Sequence, residues 1–115
     1  MTFEEIKNLQ ISNIISNSSE LKALVKTCLS IVSTSTVKDD EIVMWINSAV
    51  EDLLRQQINV ADNISNGLIQ GAIAMYVKGH FGFVDLNEKK LALECYKQTC
   101  TNLSLSQKFL LEEIE

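Results

Sequence analysis

The stretch Leu68–Phe81, LIQGAIAMYVKGHF, constrains this chain more than any other. At helical spacing Leu68, Ala72, Met75 and Tyr76 make one face, while Ile73, Ala74, Val77 and Phe81 cover much of the other. Only Gln70, Lys78 and His80 are strongly polar. A helix that is apolar almost all the way round has to be buried on several sides. In a chain of 115 residues few helices are available to cover it. It is either the centre of a bundle or partly a contact with another subunit, and the two are compatible. Ile73, Val77 and Phe81 lie at i, i+4 and i+8, so they share a face that is expected to be buried.

The remainder reads as helices joined by short links. There are no prolines and four glycines, and no strand is written in period-two alternation. Thr2 and Glu5 form a T-x-x-E capping box ahead of a short amphipathic turn. SNIISNSS, residues 12–19, reads as a loop. Leu21, Leu24, Val25 and Cys28 then predict a helix over roughly Ser19 to Ser30, with Asn17 and Glu20 at its start. After a Ser/Thr cluster, Thr36 with Asp39 predicts the cap of a helix from Asp39 to Ile58. Its three leading acids suit the positive end of the helix dipole. Ile42, Ile46, Ala49 and Leu53 form its stripe, and Met44 is an apolar side chain on its polar face.

The central helix is expected from Ile64 to Gly82, with Gly82 ending it in a left-handed conformation. Asp85 with Glu88 predicts a capping box for a last helix from Leu86 to Leu103. Its expected stripe is Leu91, Ala92, Cys95, Tyr96, Thr99 and Leu103. The fold class is therefore all-α: a small bundle of about four to five helices with a C-terminal tail.

The net charge of −5 argues against a DNA reader, which needs a basic face for its phosphate contacts. No secretory signal is visible at the N-terminus, and no apolar run reaches the roughly 20 residues of a membrane span. Cys28, Cys95 and Cys100 have no metal-ligand spacing and read as three reduced thiols, with Cys28 and Cys95 on core stripes. His80 is the single histidine, placed to cap a helix end or face solvent. No nucleophile–base pair, phosphate loop or metal set is written, so neither catalysis nor a cofactor is expected.

Three segments in this order resemble a known family. They are LKALVKTCLSI followed by DDEIVMWINSAVEDLLRQQ, then LIQGAIAMYVKGHFGF, then DLNEKKLALECYKQTCTNLSLSQKF. The pattern, over about Glu20 to Phe109, is similar to the small head–tail connector, or adaptor, proteins of long-tailed bacteriophages and prophages. That resemblance implies a helical structural protein of the virion neck, made in the bacterial host cytoplasm. It would dock as a ring under the portal protein, dodecameric in the virion and monomeric alone in some cases. It would extend the DNA channel without sequence-specific binding and carry the next neck or tail protein. The N-terminal segment is longer than the family's short lead.

The expected division is 1–19 as an N-terminal extension with a short helix, 20–105 as the connector domain, and 106–115 as the tail. Candidate interface residues are Met44, Ile73, Val77 and Phe81, with Phe109, Leu110, Leu111 and Ile114 of the tail. A small helical DNA-binding regulator, or a helical accessory subunit unrelated to phage, are the alternatives.

Overall fold

A computed structural model describes residues 2, 4, 5, 8, 18–31, 35, 37–60, 66–82 and 84–105. Within them lie four long helices: α1 (Ser18–Cys28), α2 (Asp39–Arg55), α3 (Gly67–His80) and α4 (Leu86–Ser104). The described residues contain no strand, and the fold is an all-α bundle. At the N-terminus the Glu5 N–H donates to the Thr2 hydroxyl at 3.2 Å, as the capping box requires.

The almost wholly apolar helix, α3, is the centre. It packs against each of the other three. Ile69, Ala72, Ile73, Ala74 and Val77 on it are buried, as is Phe81 just beyond it. α2 contributes Ile42, Ile46, Ala49 and Leu53, the stripe expected from its period. α3 and α4 run antiparallel, because Tyr76 meets Tyr96 edge-on while Gly79 lies against Leu93. A Cβ built at Gly79 would sit 2.5 Å from Leu93 Cδ2, so the missing side chain is what lets α4 come this close.

The helix ends depart from expectation. α1 and α2 both close with a left-handed residue that is not glycine: Ser30 (φ 59°) and Gln57 (φ 66°). Ile31 N–H bonds Lys26 O at 2.8 Å and Ser30 N–H bonds Thr27 O at 3.2 Å. Ile58 N–H to Leu53 O (3.1 Å) and Gln57 N–H to Leu54 O (2.9 Å) repeat the pattern. Each is a Schellman motif, followed by an isoleucine that packs back on the core. The helix ending at Arg55, not Ile58, follows from that turn.

Gly82 does not adopt the expected left-handed conformation. No described glycine has positive φ, and α3 ends on an extended Phe81 (φ −70°, ψ 131°). α3 begins at Asn66, whose side chain accepts from Leu68 N–H at 2.8 Å; the expected start at Ile64 lies outside the described residues. The residue before α2 is Lys38, which makes no side-chain cap, and Thr36 lies outside the described residues. The Asp85 carboxylate caps α4 through Asn87 N–H at 3.1 Å.

The buried face of α4 is rotated from the expected stripe. Ala92, Tyr96, Cys100 and Leu103 are buried, whereas Leu91 is 66% exposed and Cys95 is exposed. The cysteine that packs inside is therefore Cys100, with Cys28 half-buried and all three free.

Candidate functional surface

Two hollows flank the central helix. The first is a polar and aromatic cleft of about 550 Å³ between α2, α3 and α4. Four rings form a ladder beside it: Trp45 stacks on His80 (centroids 4.9 Å), His80 on Tyr76 (4.2 Å), and Tyr76 meets Tyr96 edge-on (5.1 Å). His80 Nδ1 lies 2.8 Å from Tyr76 O, and because a carbonyl only accepts, this nitrogen carries the proton. The Glu41 carboxylate accepts from Trp45 Nε1 and from Gly82 N–H, each at 3.3 Å, joining the start of α2 to the end of α3.

Asp52 is the polar centre of the cleft. It accepts from the Tyr96 hydroxyl at 2.5 Å and from Gln56 Nε2 at 3.0 Å. Burial, and then this bond to Asp52, push the Tyr96 phenol far above its ordinary range. Tyr76 is pushed up by burial and by the Asp52 charge. Burial raises the Cys100 thiol as well, which disfavours the nucleophilic thiolate. Asp52, Gln56, Tyr96 and Cys100 bond to one another and tie α4 to α2 and its end, while the ring contacts of Tyr76 join α3 to the same cluster. Among the described residues no group of His, Cys, Asp and Glu could hold a metal ion, and no helix is long and apolar enough to cross a membrane.

The second hollow is an apolar groove of about 440 Å³ on the other side of α3. Leu24 and Cys28 of α1, Leu68, Gly71 and Met75 of α3, and Cys95 of α4 line it. The bundle leaves Leu68 49% exposed here.

The candidate interface residues separate. Met44 is 50% exposed on α2 and is available to a partner. Ile73, Val77 and Phe81 are fully buried by the chain's own helices, so that face belongs to the subunit core and offers nothing to a neighbour. Phe109, Leu110, Leu111 and Ile114 lie outside the described residues. Val37, Leu86 and Leu105 are exposed apolar residues that periodicity did not single out, and Leu91, which periodicity placed on the buried stripe, is exposed as well. For Leu91 the signal was present: Lys89, Lys90 and Glu94 surround it, which marks a solvated side of α4.

No curated protein and no solved structure matches the chain. A family model does, over residues 23–109, a span that takes in α2, α3, α4 and most of α1. On that match, across most of its length, the chain belongs to the phage connector protein family.

Proposed function

We propose that this connector joins a phage head to its tail by docking as a ring under the portal protein. Copies stand side by side around the axis, extend the DNA channel, and offer the next neck or tail protein a platform. The observation that carries this reading is the family match over residues 23–109, which coincides with the helical bundle. A closed ring needs two different complementary patches on each subunit. The exposed apolar residues of the outer helices, Met44 among them, and the tail residues Phe109, Leu110, Leu111 and Ile114 are proposed to supply them. An acidic subunit suits a channel through which DNA moves without being held, since phosphate binding needs basic side chains. The proposed ring is dodecameric in the virion, and the isolated subunit can be monomeric until it meets the portal.

The test is co-sedimentation of the full chain with the portal protein of the same phage or prophage, followed by electron microscopy of the complex. A ring on the portal supports the reading. A chain that binds a tail component and never the portal would overturn it.

A further inference from the structure

We propose that Cys28, Met75 and Cys95 form a site for a soft monovalent cation, copper(I), at one end of the apolar groove. This goes beyond the connector reading and does not rest on it. The chain carries three cysteines and three methionines. Half of these sulfur-bearing residues line this one groove, and each comes from a different helix: Cys28 from α1, Met75 from α3 and Cys95 from α4. Helix placement brings them together. Tyr76 of α3 meets Tyr96 of α4, and Met75 and Cys95 are the chain neighbours of that pair, so they stand level along the two antiparallel helices. Cys28 also lines the adjoining hollow with Lys78, Asp85 and Glu88. It therefore faces α4 between Glu88 and Cys95, at the Met75 end of the groove and away from Gly67. Both thiols are free, Cys28 half-buried and Cys95 exposed, so an ion can reach them from solvent.

The donors select the cation. Thiolate and thioether sulfur are soft, polarizable ligands that favour copper(I) over magnesium, calcium or manganese. Structural zinc takes four ligands, drawn from thiolates, imidazoles and carboxylates. The groove offers two thiols and one thioether, and no histidine or carboxylate lines it. Met75 also places the cluster outside any set built from His, Cys, Asp and Glu alone. Copper(I) accepts a low coordination number, so these three donors suffice. On binding, each thiol gives up its proton to solvent and bonds the ion as thiolate, with no change of oxidation state. Two thiolates and one monovalent cation leave one negative charge, which Lys78 beside Cys28 offsets. Leu24 and Ala74 in the walls limit the access of water to the bound ion. The remaining thiol, Cys100, lies in the polar cleft on the other side of α3 and serves as an internal control.

The test titrates the full chain, reduced and free of oxygen, with copper(I) in competition with the coloured chelator bicinchoninate. One ion per chain is expected, with the complex still monomeric by native mass measurement. Cys28→Ser and Cys95→Ser are each expected to weaken binding by more than the roughly 100-fold that loss of a supporting hydrogen bond can cost at a metal site. Met75→Leu keeps the volume and removes only the thioether, and is expected to weaken it to a smaller extent. Cys100→Ser is expected to bind as the parent does. Circular dichroism reports whether each variant keeps its helices, and the exposed Cys95 is the substitution least able to disturb them. No binding by the parent, or unchanged binding by folded Cys95→Ser, would overturn the proposal. So would an ion shared between two chains, or a loss of binding confined to Cys100→Ser. Portal binding is measured on the copper-free chain, so either reading can fail without the other.

Discussion

A methyl group added at Gly79 would overlap Leu93 Cδ2 at 2.5 Å and Cγ at 2.6 Å, whereas one added at Gly71 meets nothing within 4 Å. The same substitution therefore has opposite signs one face apart. Gly79→Ala is expected to cost about 1–3 kcal/mol through overpacking. Gly71→Ala is expected to gain about 0.5–1 kcal/mol from helix propensity. Thermal or urea unfolding of both variants checks this, and equal effects would contradict the packing. At Tyr96 the hydroxyl donates to a carboxylate in a mostly buried setting, so Tyr96→Phe is expected to cost about 1.5–3 kcal/mol. The phenol is raised in the folded state, so the native protein holds a proton that the unfolded chain releases near pH 10. The stabilisation is full below that pH and is lost as pH rises above it. Unfolding measured across the alkaline range should show this decline in the parent and a flatter profile in Tyr96→Phe.

Among the elements, α1 is fastened to α2 by charge as well as by packing. Lys26 Nζ lies 2.9 Å and Lys22 Nζ 3.7 Å from the Asp39 carboxylate at the start of α2. The Lys26 hydrogen bond leads the causes that hold Asp39 below the ordinary carboxylate range, against a smaller opposing effect of burial. A depressed carboxylate contributes stability above its unfolded value, near pH 4, and loses it as pH falls through the lower folded value. Asp39→Asn should therefore flatten the acid limb of the stability profile, as measured by circular dichroism against pH. Phe81, fully buried where α3 ends, is expected to cost about 3–5 kcal/mol when cut to alanine, by the same unfolding measurements. The positions of α2, α3 and α4 were legible because each carries a long apolar period or a polar start such as Asp85. The two Schellman ends were not, because Ser30 and Gln57 hold a left-handed conformation that composition assigns to glycine or asparagine. The face of α4 was misjudged because Leu91 and Cys95 form as good a helical stripe as Tyr96 and Cys100. Only the approach of α4 to Gly79 of α3 decides between them. The groove was not legible at all, since no local pattern records how α1, α3 and α4 meet.

At the scale of the molecule, deleting residues 106–115 is expected to leave the helical spectrum intact, because the four helices and the core that joins them are built from residues 18–104. Portal binding is expected to weaken. A truncated chain that loses its helical signal would place the tail in the core, and one that binds portal as well as the parent would remove its docking role. α4 has a special standing in this bundle. Its main helix partner is α3, and its ties to α2 include the Tyr96–Asp52 and Gln56–Cys100 contacts. Mechanically this makes α4 a handle bolted to one beam. A pull applied at the C-terminus loads the Gln56–Cys100 contact and then the Tyr96 bolt before it reaches the rest of α2. In an optical trap gripping the two ends of the chain, α4 should peel away as a separate early step. Tyr96→Phe should lower the force of that step and leave the later ones unchanged.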